Sequence, residues 1–253
     1  MGALHRGHAS LVEASSRECD FTIVTIFVNP TQFGPEEDLA RYPRSLAADV
    51  ALVGSLGADL VFAPDEATMY PPGYATFIEV GAVALPLEGQ FRPGHFRGVA
   101  TVVLKLFQLA PADVAYFGQK DYQQTLVVRQ MVRDLNVPIE IRVCPIVREA
   151  DGLALSSRNV YLSQRERADA LTLVRSLRRA SELVAGGERD SRRILDEMRS
   201  LYAPLPDATI DYLALVDPQT LSNVERVDGP TLAAVAVRIG ATRLIDNLLI
   251  EPH

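Results

Sequence analysis

Long apolar runs, surplus positive charge and cysteine are all scarce in this chain, and each scarcity removes a class of protein. No apolar stretch in the 253 residues reaches the ~20 needed to span a bilayer. No basic segment followed by an apolar one opens the chain, so a cytoplasmic protein is expected, with no membrane partner. Lys and Arg number 25 against 32 Asp and Glu, a net charge of −7. Nothing there favours nucleic acid, and an anionic ligand would need a local basic pocket. Two cysteines, Cys19 and Cys144, are too few for a disulfide framework and suit a reducing compartment. Repeats and low-complexity segments are absent as well. What remains is ordinary globular material, 48% hydrophobic and 23% charged, enough for one large domain or two modest ones.

The first two-thirds alternates strand and helix signals. Residues 21–28 are a β-branched apolar run suited to a strand buried on both faces, stopped by Asn29-Pro30. Residues 45–57 read as a helix and 58–63 as a short strand. An apolar stripe through Val99, Val102, Val103, Leu106 and Leu109 has helical spacing. Residues 113–117 predict a strand, Gly118 a sharp turn, 121–135 a helix and 139–147 another strand. Such alternation implies a Rossmann-like α/β domain, a parallel sheet with crossover helices. Beyond Arg148 the pattern changes. A polar loop through Ser156-Ser157-Arg158-Asn159 leads to a helix over 164–185, closed by Gly186-Gly187. A helix over 191–201 and strands over 209–216 and 232–238 complete a smaller α+β domain. The expected division is 1–147 and 148–253.

Histidine is scarce too, and three of the four lie in two short glycine-containing stretches. In His5-Arg6-Gly7-His8 two imidazoles three apart would share one helix face, and the glycine would admit a ligand's phosphates. Helix N-termini carry unpaired N–H groups and favour anions. Three polar clusters follow predicted strands, where open α/β sheets bind ligands. They are Asn29, Thr31 and Gln32; Gln119, Lys120 and Asp121 with Gln123 and Gln124; and Ser156-Ser157-Arg158. Lys120 offers a point charge, Arg158 a planar fork, and the serines hydroxyl donors, the parts of a phosphate site. Uncharged Gln32 and Gln124 suit hydroxyl or carboxylate recognition. A histidine pair at this spacing could also take zinc, but no cysteine or carboxylate clearly completes a shell.

Five co-linear blocks carry a closer likeness. They are Met1-Gly2-Ala3-Leu4-His5-Arg6-Gly7-His8, Phe27-Val28-Asn29-Pro30-Thr31-Gln32-Phe33, Arg92-Pro93-Gly94-His95-Phe96, Phe117-Gly118-Gln119-Lys120-Asp121-Tyr122-Gln123-Gln124 and Asp151-Gly152-Leu153-Ala154-Leu155-Ser156-Ser157-Arg158-Asn159. With Arg243-Leu244-Ile245-Asp246-Asn247 near the C-terminus, the chain resembles the pantothenate synthetase family along nearly its whole length. Arg6 stands where that family often has Glu, and Leu155 where some members have Met.

The resemblance implies a ligase that joins (R)-pantoate to β-alanine with ATP and Mg²⁺ through a pantoyl adenylate, releasing AMP and pyrophosphate. It implies phosphate contacts from His5, His8, Lys120, Ser156, Ser157 and Arg158. Donation to phosphate oxygens suits the first histidine better than acid catalysis, because an ionised carboxylate nucleophile needs no base. The resemblance also implies an ATP site of Met1, Gly2, Ala3, Leu4, Arg6, Gly7, Gln119 and Leu155, with Gly118 and Asp121 near the ribose and the Val147 backbone on the base. Gln32 and Gln124 would bind pantoate, and Gln32 and Asn29 β-alanine. His95 is open between site residue and loop anchor. A homodimer is implied, and the metal ligands are not. Family members carry a further segment ahead of this point, so the first strand of the sheet is expected to be missing, through truncation or a misplaced start. The alternatives are an adenylyltransferase that keeps AMP in its product, and an impaired, shortened chain that only binds nucleotide.

Overall fold

The computed structural model describes residues 2–34, 39 and 45–252. The chain forms two compact units, Met1–Val147 and Arg148–His253.

In the first unit α1 (Arg6–Glu18) buries Ala9 and Val12. Val12 meets Val24 and Ile26, and Val53 of α2 (Leu46–Ser55), in a small core. Strand β1 (Ile23–Thr25) pairs in parallel with β2 (Leu60–Phe62), Ile23 opposite Leu60. It is shorter than the apolar run that announced it. At its start the Thr22 amide donates to the Asp59 carboxylate at 2.8 Å instead of to a strand, and past its end the Ile26 amide makes one last bond to Phe62 O at 2.9 Å. Two short helices, α3 (Glu66–Met69) and α4 (Glu88–Phe91), follow, the first capped by Asp65, which accepts the Thr68 amide at 2.7 Å. Helix α5 (His95–Leu109) starts four residues before its apolar stripe, because Gly94 at φ 80° supplies a left-handed lead-in. Its Phe96, Val99, Val102 and Val103 pack with Val127, Val128 and Met131 of α6 (Tyr122–Asp134). That helix crosses from β3 (Val114–Gly118) to its parallel partner β4 (Glu140–Cys144). Among the described residues the ladders are two parallel pairs, β1–β2 and β3–β4, rather than one continuous sheet.

The second unit is α+β. Helix α7 (Gln164–Ala185) opens on a capping box in which Ser163 and Glu166 exchange side-chain and backbone bonds. Asp190 caps α8 (Ser191–Ser200). The sheet is antiparallel in the order β5 (Ala208–Val216), β6 (Thr231–Ile239), β7 (Thr242–Ile250). Leu173 and Leu177 of α7, Ile194 and Met198 of α8, and Leu215, Val235 and Ile239 of the sheet form its core, each worth ~1.5–3 kcal/mol of transfer free energy. Strand β7 has no counterpart among the expected strands, since Arg243, Asp246 and Asn247 interrupt its apolar pattern. The turn at Gly240, φ 56°, returns the chain beside β6, and ion pairs with Asp211 and Arg148 satisfy Arg243 and Asp246. Tertiary context overrides the polar pattern.

Candidate functional site

The histidine pair is built differently from two side chains on one helix face. His5 is the N-cap of α1, with extended backbone (φ −133°, ψ 176°), and His8 is the third helical residue. The Gly7 amide donates to His5 Nδ1 at 3.1 Å, and the His5 amide donates to His8 Nδ1 at 3.4 Å. The rings stack with centroids 4.1 Å apart. A capping geometry, not helical spacing, brings them together.

Accepting at Nδ1 fixes the protonation of both rings. A neutral imidazole that accepts at one nitrogen carries its proton on the other, so each ring is a donor through Nε2. Burial drives the His8 pKa down from 6.5 to about 3, and neighbouring His5 and Lys120 push the same way. At neutral pH His8 is an uncharged donor at a positive helix end.

The backbone leading into α1 is held by a residue without a motif. Asp49 of α2 is buried, 4% exposed. Its two oxygens accept the Ala3 amide at 3.0 Å and the Leu4 amide at 2.8 Å. Ala3 sits at φ 50°, a strained backbone that needs such partners. Gly2 lies against Val28, where a Cβ would meet Val28 Cγ2 at 3.0 Å. Met1 lies outside the described residues.

The second cluster is the 3₁₀ turn Pro30–Gln32. Asn29 is buried and fully engaged. Its Nδ2 donates to Gln32 Oε1 at 3.1 Å and to Gly98 O at 3.2 Å, while its Oδ1 accepts the hydroxyls of Thr31 (3.0 Å) and Tyr70 (2.7 Å). The Gln32 amide is thereby oriented, with Oε1 turned to Asn29. His95 Nδ1 lies 2.8 Å from the Gln32 carbonyl, and its Nε2 lies 3.2 Å from Arg92 Nη1. Arg92 can only donate, so His95 carries its proton on Nδ1 and gives it to Gln32. That makes His95 a loop anchor. At Gly98 any Cβ would stand 2.4 Å from Thr31 O, so the turn lies directly on α5.

The third cluster follows β3. Gly118 is the last strand residue, at φ −84° and ψ 135°, so the expected sharp turn is instead the 3₁₀ turn Gln119–Asp121. Nothing lies within 4 Å of a Cβ built on Gly118. Lys120 and Gln124 are half-buried and Asp121 is exposed. Gln123 is structural, with Nε2 donating to Val83 O (2.9 Å) and Pro86 O (2.7 Å).

Ser156, Ser157 and Arg158 belong to the second unit. There Ser156 caps the 3₁₀ turn Ser157–Tyr161 by accepting the Arg158 amide at 3.2 Å. Leu155 in this unit and Val147 at the end of the first are half-buried. Among the described residues no three His, Cys, Asp or Glu side chains stand together as a metal cage, and no helix is long and apolar enough to cross a membrane. The helix-cap histidines and the strand-end clusters are readable as motifs, whereas Asp49 and the partners that hold them are not.

A sequence model described as pantoate-beta-alanine ligase matches residues 1–249. A pantothenate synthetase from Roseiflexus sp. (strain RS-1) is 58% identical over 251 residues, covering 99% of this chain and 90% of that protein. The crystal structure of pantothenate synthetase from Thermus thermophilus superposes with a TM-score of 0.97 at 50% identity, over 100% of this chain and 91% of that one. A pantoate-beta-alanine ligase from Francisella tularensis, described as complexed with beta-gamma ATP and beta-alanine, has a TM-score of 0.81 at 38% identity, over 98% of this chain and 87% of that one.

Proposed function

This chain belongs to the pantoate-beta-alanine ligase family, and we propose from that premise that it condenses (R)-pantoate with β-alanine at the expense of ATP. A carboxylate is a poor acyl donor, so the reaction runs in two displacements. The pantoate carboxylate oxygen attacks the α-phosphorus of ATP, the bond to the β-phosphate oxygen breaks, and pyrophosphate leaves. The β-alanine amine then attacks the pantoyl carbonyl, loses a proton, and AMP leaves with the electrons of the acyl–oxygen bond.

The observation that carries this reading is the fixed tautomer of the histidine pair. Both rings accept backbone N–H at Nδ1 and so present Nε2–H at a helix N-terminus. Charge that builds on departing pyrophosphate meets donors already oriented, which is where electrostatic catalysis acts. Neither ring has to transfer a proton. We assign Lys120, Ser156, Ser157 and Arg158 to the same phosphates by family resemblance. Gly2, Ala3, Leu4, Arg6, Gly7, Gln119 and Leu155 fall to ATP on the same ground. The open space beside Gly118 suits a ribose held by Asp121, with the Val147 backbone at the base. Gln32, its Oε1 engaged by Asn29, turns amide hydrogens toward a carboxylate or hydroxyl of pantoate, with Gln124 as second contact. Asn29 then shapes the β-alanine site through Gln32.

Mg²⁺ is assigned as an ion arriving with ATP, the usual mode for this cation; the described side chains form no cage for it. A cytoplasmic homodimer is the working state we propose. Relatives named pantothenate synthetase that match 99% of this chain disfavour the alternative of a nucleotide-binding chain without turnover. The test omits one reactant at a time. Pyrophosphate release that needs ATP and pantoate but not β-alanine, with AMP freed on adding β-alanine, is expected. Release without pantoate, or AMP retained in the product, would overturn the proposal.

A further inference from the structure

We infer that Arg167, a helix residue with no place in the motifs, positions the Ser156–Arg158 loop and thereby sets the enzyme's use of ATP. The inference rests on the proposal that this loop contacts ATP phosphates. The loop follows a hairpin in which Arg148 bridges Ala154, and the Glu149 amide bonds Leu153 O at 2.8 Å. Gly152 turns it at φ 96°. From the first turn of α7, the Arg167 guanidinium grips both acidic residues of this hairpin. Its Nη1 and Nη2 donate to the two Glu149 oxygens at 3.0 and 2.7 Å, and its Nε and Nη2 donate to Asp151 Oδ2 at 3.2 and 2.7 Å. Such a planar fork holds direction as well as distance.

Glu149 passes that constraint on. Its Oε1 also accepts from Asn159 Nδ2 at 2.7 Å, and the same nitrogen reaches Ala154 O at 3.1 Å. Asn159 is buried, and its backbone amide bonds Ser156 O at 3.0 Å. The path Arg167, Glu149, Asn159 therefore closes on the residue that begins the loop, and Ser156 in turn caps Arg158. Loss of Arg167 leaves Glu149 without its fork and Asn159 with a movable partner, so the Ser157 and Arg158 donors lose their aim. No contact between Arg167 and substrate is involved.

The test compares Arg167→Gln, Arg158→Ala and the double variant in the full chain, reading pyrophosphate release at varied ATP and at varied pantoate. Arg167→Gln is expected to lower kcat/KM for ATP about tenfold, as misplacement at a distance does, with pantoate KM within about twofold. In the Arg158→Ala background it should add little, because both act through one loop. An Arg167→Gln chain that melts lower but keeps its kcat/KM for ATP overturns the inference and leaves the loop's phosphate role standing. If Arg158→Ala itself leaves ATP use unchanged, the phosphate reading falls and the inference with it. Should Arg167→Gln not fold, Glu149→Gln carries the same expectation, since it keeps an acceptor for Asn159 while removing the charge that Arg167 grips. Unchanged ATP use in that variant is equally fatal.

Discussion

Around their candidate site segments the two units lean on different kinds of anchor. In the first, side chains reach to backbone: Asp49 to the Ala3 and Leu4 amides, His95 to the Gln32 carbonyl, Gln123 to Val83 and Pro86. In the second, charged side chains grip each other: Arg148 with Asp246, and Arg167 with Glu149 and Asp151. The difference follows from what each segment offers. A helix start or a strand-end turn exposes unpaired N–H and C=O groups that a nearby side chain can satisfy. The 148–154 hairpin already pairs Arg148 with Ala154 and Glu149 with Leu153 through its own backbone, so its charged side chains grip each other, with a few bonds back to the main chain such as Asn159 Nδ2 to Ala154 O. Removing an anchor therefore leaves an orphaned backbone group in one unit and an orphaned charge in the other.

The largest expected effect comes from orphaning the most buried charge. The Asp246 side chain is 1% exposed and bonded by Arg148 at 2.6 and 3.0 Å. Arg148→Met should cost ~3–5 kcal/mol, because a buried carboxylate is left unpaired. Adding Asp246→Leu to it should recover most of that loss, since the charge is then gone. Urea unfolding of the two variants checks both statements. A single variant within ~1 kcal/mol of the parent would mean that water compensates the charge.

Next comes the helix cap. Replacing His5 or His8 by Ala should slow pyrophosphate release by ~10²–10³, the scale for loss of one oriented donor. His8→Gln, which keeps an N–H, should lose less. If His8 were instead a proton-transfer group, Gln would be as poor as Ala, and stopped-time pyrophosphate assays separate the two. Asp49→Ala follows at ~1.5–3 kcal/mol of stability, for buried backbone amides without their charged acceptor. It should also slow pyrophosphate release, whereas Gln123→Ala should lower stability and leave the rate nearly intact. Equal rate losses in those two would show that Asp49 is only a packing residue.

How much of this is legible in the sequence divides along the same line. Periodicity gives α7 to the residue, because its apolar face repeats against one continuous core and Ser163 and Gly186 punctuate it. The motif residues His5, Gln32, Lys120 and Ser156 can be named because their chemistry is local. Their anchors cannot. Asp49 stands 46 residues from Ala3, and Asp246 stands 98 from Arg148. No spacing rule links residues that only folding brings together. Strand β7 escapes for the same reason, its polar residues being satisfied by partners elsewhere in the chain. The contact of His95 with the Gln32 carbonyl, 63 residues away, is equally hidden from spacing rules.

Mild acid should separate the two units by the most selective effect. His8 titrates near 3 in the folded chain against 6.5 for a free imidazole, so between those values the unfolded state binds the extra proton. Stability from the first unit then falls as pH drops through that window. Glu149 and Asp151 are carboxyls, and their loss comes at lower pH. Hydrogen bonds from Arg167 hold both below their ordinary values of 4.5 and 3.8, so their contribution is complete above those values and is lost only beneath them. Both groups are partly exposed, which keeps that loss modest. Hydrogen exchange corrected for intrinsic rates, followed from pH 7 to about pH 5 where only the histidine window has been entered, should show α1 losing protection while α7 and the 148–154 hairpin keep theirs. Protection lost first at α7, or in both regions together, would mean that His8 is not buried as its neighbours require.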